Sequence, residues 1–168
     1  TFNTIAIPES LRNAFFIDGG ALAVENALKT AFDWKKRKNL EKGSNADGNK
    51  VIYFNQAFHG RSGYTLTLTN TSDPRKTMYF PKFPWFKLNN PKLTFPITDD
   101  VLTEVKQSEA DIILHINKII SKNTDDIAAI IIEPIQGEGG DNHFRDEFMK
   151  SLRDICDNND ILFIFDEV

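Results

Sequence analysis

Acids stand where an apolar chain should not tolerate them. Glu133 follows the run from Ile127 to Ile132, and Asp166 and Glu167 follow the run from Ile161 to Phe165. Both runs are short, nearly unbroken and rich in β-branched and aromatic residues, as in strands buried on both faces of a parallel sheet. Between them Phe148, Leu152 and Ile155 stand at spacings of four and three, a helical stripe within residues 145–158. Strand, helix and strand with carboxylates at the strand C-termini make a βαβ unit, and such sheets bind ligands outside those carboxyl ends. A carboxylate there is costly without a positive or hydrogen-bonding partner, so Asp166 asks for a cationic ligand atom. The plainer alternative is an acid that caps the next loop.

Two other stretches put chemistry at strand ends. Ala14 to Ile17 reads as a short strand, Asp18-Gly19-Gly20 as its turn, and a helix follows with Val24, Ala27, Leu28, Ala31 and Phe32 on one face. Two glycines before a helix N-terminus leave free backbone N–H groups pointing at one anion, with room for a single phosphate. Such a turn is often only a tight connection, and it lacks the further glycines and the lysine of the dinucleotide and P-loop fingerprints. The basic run Lys35-Lys36-Arg37-Lys38 reads as a solvated helix end, and residues 40–50 as a polar surface loop. Val51 to Phe54 is the next buried strand, and it runs into Asn55-Gln56-Ala57-Phe58-His59-Gly60-Arg61. Phe58 and His59 offer flat faces, and Arg61 offers the fork that fits a carboxylate. Singly, Phe58 is most simply a core aromatic and Arg61 a surface charge; their crowding beyond one strand favours a site.

Residues 64–71 alternate Thr and Leu, which suits a short strand or, from Ser62, a helix start. Residues 73–96 are studded with prolines and aromatics, so an irregular excursion is expected, packed on its own domain or against a partner subunit. Ile112, Ile116 and Ile119 place a helix over residues 101–121, with His115 in a structural role. The formal charge of −4 gives no basic footprint, so nucleic acid is not an expected partner. Cys156 is the only cysteine, which excludes an internal disulfide and fits a reducing cytoplasm. No apolar run approaches the ~18 residues of a membrane span, and the three histidines lack zinc-ligand spacing, so no metal is expected. The first residue is not Met and Val168 ends a strand, so both ends read as cut.

Phosphate-binding helix start, aromatic platform, carboxylate-reading arginine and buried aspartate together suit a phosphorylated aromatic cation, of which pyridoxal phosphate (PLP) is one. GGALAVENALKTAFDWKKRKN, FNQAFHGRSGYTLTLTNT, IIIEPIQGEGGDNHF and ILFIFDEV resemble, in order, the class III (ω-amino acid) PLP-dependent aminotransferases. GGALAVENALK and SDPRKTMYFPKFPWFKL point to the branch that takes the ε-amino group of L-lysine and passes it to 2-oxoglutarate. The resemblance covers essentially the whole chain. It implies a fold-type I PLP-dependent transferase large domain, an α/β fold with a mostly parallel sheet and helices on both faces, here incomplete. An N-terminal arm, the Schiff-base lysine region and a C-terminal small domain would lie outside residues 1–168.

The resemblance also assigns roles. It implies that Gly20 and Ala21 hold the cofactor phosphate, that Phe58 stacks on the pyridine ring with His59 beside it, and that Val168 packs on the other face. Asp166 would pair with the pyridinium nitrogen, Arg61 would take the substrate α-carboxylate, and Glu133 would line the substrate side. Glu138 would pair with a later arginine and swing aside for a dicarboxylate. The family's Schiff-base lysine lies downstream of Asp166-Glu167-Val168, so these residues alone are expected to be inactive. A cytoplasmic homodimer with shared active sites is implied, and 4-aminobutyrate or ornithine aminotransferases are the nearest rivals. A non-catalytic phosphate-ligand or dimerisation module is the alternative from another class. The family sheet order would also leave the strand at residues 14–17 without its neighbour, so marginal stability or association is expected of the piece alone.

Overall fold

Ile127–Ile132 is buried at every position because helices cover both faces of the sheet that contains it. The computed structural model describes residues 8, 10, 11 and 13–168. In chain order these form α1 (Gly20–Glu41), β1 (Lys50–Phe54), α2 (Thr65–Leu68), a 3-10 turn (Pro74–Lys76), β2 (Phe86–Leu88) and α3 (Asp99–Lys122). β3 (Ile127–Ile132), β4 (Ile135–Gln136), β5 (Asn142–His143), α4 (Asp146–Asn158) and β6 (Leu162–Phe165) follow. The main sheet has the order β2-β1-β3-β6 and is parallel throughout.

Strand alternation distributes the core. Ile52, Phe54, Ile130 and Ile132 pack with Ile112, Ile116 and Ile119 of α3 and with Phe148 and Leu152 of α4. Val51, Tyr53, Ala129 and Ile131 pack on the other side with Val24, Leu28 and Ala31 of α1. The register moves from Lys50↔Ile127 to Val51↔Ala129, so Ala128 is the extra residue of a bulge at the start of β3. α3 is started by Thr98, whose side chain accepts from Val101 N at 3.3 Å, with Asp99 and Asp100 in the first turn where the helix dipole favours them.

Four expectations change. Residues 14–17 form no strand: they are extended chain outside the described sheets, and Phe15 is 74% exposed. β6 is an outer strand among the described residues and is only partly covered, so burial on both faces holds for β3 and not for β6. The proline-rich excursion contains a real strand: Phe86–Leu88 pairs with Ile52 to Phe54. The basic run is not simply solvated. Lys35 is buried, and its ammonium donates to the carbonyl oxygens of Asp160 at 2.8 Å and Asn159 at 3.4 Å. Of the two options at residues 64–71, the helix is the one formed, because Glu25 of α1 accepts from the N–H groups of Tyr64 (2.7 Å) and Thr65 (3.3 Å). No helix among the described residues is long and apolar enough to cross a membrane.

Candidate active site

β1, β3 and β6 all end toward the start of α1, and there the structure opens a cleft of about 340 Å³. Gly20, Ala21, Phe58, His59, Arg61, Asp166 and Val168, which the sequence placed in one site, line it together with Gly60. Glu133 and Glu138 stand outside that lining.

The helix start is shaped for close approach. Gly19 has φ 94, a left-handed conformation that favours glycine, and no side chain caps α1. No acid lies in the first turn either, so the first N–H groups and the positive end of the dipole are not answered by a carboxylate. A Cβ on Gly20 would sit 2.8 Å from Val168 Cγ2. A Cβ on Gly60, at φ +115, would sit 2.6 Å from Ala21 Cβ. The turn after β1 is thereby pressed against the first turn of α1. Thr69 fixes that turn: its hydroxyl accepts from His59 N at 3.0 Å and donates to Gly60 O at 2.6 Å.

Asp166 is buried at the end of β6, where its N–H donates to Ile132 O at 3.0 Å. Its Oδ2 meets His59 Nδ1 at 2.7 Å, and its Oδ1 accepts weakly from Val168 N at 3.3 Å. A carboxylate only accepts, so Nδ1 carries the proton. His59 Nε2 is left buried with no hydrogen-bond partner. Part of the demand made by the buried Asp166 is thus met by His59 within the chain. The His59 side chain is itself fully buried, so its part is to hold Asp166 rather than to offer a ring face. Phe58 is the more accessible ring.

Glu133 works from outside this lining. Its Oε1 accepts from Phe58 N at 2.7 Å and its Oε2 from Gly137 N at 3.3 Å, so one carboxylate ties the aromatic platform to the β4–β5 ribbon. Burial pushes its carboxyl above the ordinary value, although the N–H groups of Phe58 and Gly137 and nearby His59 pull the other way. Glu138, on the ribbon turn, forms an ion pair with Lys76. The Lys76 ammonium also lies 6.0 Å from the centre of the Phe58 ring. Arg61 is exposed at the cleft and makes no ion pair among the described residues.

Sequence reasoning missed Lys76, Thr69 and Glu25. No local pattern marks them, because their contacts reach across 62, 10 and up to 40 residues of chain.

The class-III aminotransferase family model matches residues 4–168. The L-lysine-epsilon aminotransferase of Mycobacterium tuberculosis is 46% identical over 169 residues, and the match takes in all of this chain and 37% of that relative's length. The human mitochondrial 4-aminobutyrate aminotransferase is 31% identical over 179 residues, covering 96% of this chain and 35% of that protein. Among solved structures, lysine aminotransferase from M. tuberculosis superimposes with a TM-score of 0.83 at 46% identity, over 90% of this chain and 34% of that one. A parallel sheet with helices on both faces, a cleft at its strand C-termini and these matches lead to one assignment: the chain belongs to the class-III aminotransferase family.

Proposed function

We propose that the protein carrying this chain is a PLP-dependent aminotransferase that passes the ε-amino group of L-lysine to 2-oxoglutarate. The products are glutamate and 2-aminoadipate 6-semialdehyde, which cyclises. The observation that carries this reading is the meeting of an uncapped helix start, an accessible aromatic ring and a buried carboxylate in one cleft of a chain so similar to lysine aminotransferases.

The residues fit the cofactor. The cleft volume of about 340 Å³ lies in the range of small-molecule sites. Gly20 and Ala21 would offer backbone N–H groups to the phosphate, Phe58 a face to the ring, and Val168 an apolar contact. Asp166 retains acceptor capacity beyond His59 and Val168 for a protonated ring nitrogen. When bound, PLP supplies an electron sink for the charge that develops at the substrate's amino-bearing carbon.

The chain's own residues hold and orient. His59 fixes Asp166, and Asp166 would keep the proton on the ring nitrogen. Arg61 would take the substrate α-carboxylate through two parallel hydrogen bonds. Glu133 keeps Phe58 in place, and Glu138 would pair with a later arginine and swing aside for a dicarboxylate. The lysine that serves as nucleophile and proton carrier in this class follows the Asp-Glu-Val motif, so we expect turnover only from the longer protein and not from these 168 residues. A cytoplasmic homodimer belongs to the same reading, and Tyr79 and Phe80, 83% and 50% exposed, suit a partner subunit.

The test supplies PLP and 2-oxoglutarate to the longer protein, offers lysine, ornithine and 4-aminobutyrate in turn, and follows glutamate. Glutamate from lysine together with a cyclised imine is the expected result. Glutamate from another donor alone would keep the class and remove the lysine assignment.

A further inference from the structure

Arg61 lies between two residues that are both clamped to α1. On one side is Gly60, where a Cβ would sit 2.6 Å from Ala21 Cβ and 3.0 Å from Ala21 Cα. On the other is Ser62, whose hydroxyl donates to Glu25 Oε1 at 2.7 Å. The same oxygen accepts from the N–H groups of Tyr64 at 2.7 Å and Thr65 at 3.3 Å, so three donors of one segment converge on it. Thr65 is fully buried, and its hydroxyl accepts from Ser62 N at 3.0 Å, which closes the segment on itself. Ala21 and Glu25 stand four residues apart, and therefore on one face, in the helix whose start would hold the cofactor phosphate. Glu25 is not part of the cleft lining, so whatever it does for a ligand it does through this segment.

We propose that Glu25 is a positioning residue: it fixes Arg61 against the phosphate-binding turn, so that one helix sets the span between the cofactor anchor and the carboxylate anchor. This deepens the aminotransferase reading above and rests on it. Gly60 and Gly63 bracket Arg61 and Ser62, and glycines leave backbone freedom that something else must remove. Ala21 and Thr69 remove it on the Gly60 side, by close contact and by the hydrogen bond to Gly60 O. Glu25 removes it on the Ser62 side, and a carboxylate acceptor makes such bonds stronger than a neutral one does. The Arg61 side chain is exposed, so the segment that carries it decides where its guanidinium stands. The donor's amine meets the ring only if its carboxylate is held at the right remove, and a misplacement on the order of 1 Å is costly.

The experiment uses the holoenzyme that carries this chain and compares lysine with cadaverine, which is lysine without its carboxylate. E25A should raise KM for lysine roughly tenfold, as expected when a charge-assisted hydrogen bond is lost. It should leave the affinity for cadaverine, as donor or as competitive inhibitor, unchanged. E25Q keeps an oxygen where Oε1 stands and should restore most of the lysine KM. In an R61A background E25A should add nothing for lysine, because Glu25 acts through that arginine. If E25A fails to fold, E25D carries the same test with a carboxylate one methylene short of its donors. An unchanged KM for lysine, an equal loss for lysine and cadaverine, or an additive loss in the double variant would each overturn the proposal. Equilibrium binding of hexanoate, a carboxylate without an amine, separates the two readings. Hexanoate weakened alike by E25A and R61A, without any lysine-dependent turnover, would overturn the reaction assigned above and leave Glu25 standing as the residue that positions Arg61.

Discussion

Charged groups are buried at both ends of this sheet, and they are treated in opposite ways. At the N-terminal ends of the strands every such group is answered from within. Lys35 donates to the carbonyls of Asn159 and Asp160, the Asp160 carboxylate takes Lys38 and Lys42, and Asp126 takes Lys50 at 2.8 Å and Gly48 N at 3.0 Å. At the C-terminal ends the satisfaction is incomplete. His59 Nε2 has no partner, the start of α1 has no side-chain cap, and Arg61 makes no ion pair among the described residues. An end whose charges are paired within the chain holds the strands together; an end whose polar groups are left open is ready for a ligand. Substitutions at the first should move stability alone, and those at the second should move chemistry first.

The largest effect is expected at Asp166. D166N keeps the shape but removes the charge that would hold a cationic ring atom, and it offers His59 Nδ1 a neutral acceptor. In the holoenzyme we expect kcat to fall by roughly 10²–10³-fold, the scale seen when one preorganised electrostatic group is lost, with little change in melting temperature. Steady-state kinetics beside a thermal melt checks both halves. A large loss of stability with kcat intact would place Asp166 among the structural charges and erase the contrast between the ends.

Glu133 is the next test, because it belongs to the reactive end and yet does a structural task. Gln keeps one acceptor oxygen where the carboxylate has two, so E133Q leaves the N–H of Phe58 or Gly137 facing an amide donor. A cost of about 1–3 kcal/mol follows for an unpaired buried group. The pH dependence has a definite sign. Burial raises the folded-state pKa of Glu133 above its unfolded value, so its contribution to stability is full below that unfolded value and is lost as pH rises through the folded one. Urea unfolding across that window should show wild type losing stability relative to E133Q as pH rises.

The sequence made the frame of this contrast readable and hid its details. α1, α3 and α4 follow from hydrophobic periodicity because each is long enough for its period to repeat, and β1 and β3 follow from unbroken apolar runs. β2 and the β4–β5 ribbon have three and two residues per strand and owe their pairing to neighbours, so no period announces them. Residues 14–17 have strand composition, but composition makes a strand only where a ladder is available. Strand ends and a glycine turn made Gly20, Phe58, His59, Arg61 and Asp166 of the cleft lining legible, whereas Ala21 and Val168 were implied by the family resemblance alone. Lys35 and Lys76 were not legible. A lysine in a basic run and a lysine in a proline-rich stretch look alike in sequence, and only tertiary contacts separate the buried staple from the cation beside the cleft.

Lys35 tests the closed end. K35A removes the ammonium that reaches the Asn159 and Asp160 carbonyls and empties space against Gly48, whose missing Cβ would come within 2.6 Å of Lys35 Cγ. A destabilisation of about 1–3 kcal/mol is expected from the unpaired carbonyls, with kcat and KM unchanged. Denaturant unfolding gives the first, and kinetics on the folded enzyme the second.

Asp160 should show the smallest effect and the cleanest sign. It sits at φ 51, a left-handed conformation that Asn also tolerates, so D160N removes the charge without straining the turn. Hydrogen bonds from Lys42 and then Lys38 hold its carboxyl at about 2, below the ordinary 3.8. A depressed folded pKa means stability that is present above the unfolded value and lost as pH falls toward the folded one. Wild type should therefore lose its advantage over D160N between about pH 4 and about pH 2, the window those two values bound. The side chains of Asp160, Lys38 and Lys42 are 30%, 38% and 48% exposed, so water and salt screen the cluster and the advantage at neutral pH should stay below about 1 kcal/mol. Added salt should shrink it further. If D160N instead changed KM, the charges at the far end of α1 would be coupled to the helix start that faces the cleft, and the two ends of the sheet would have to be treated as one electrostatic unit.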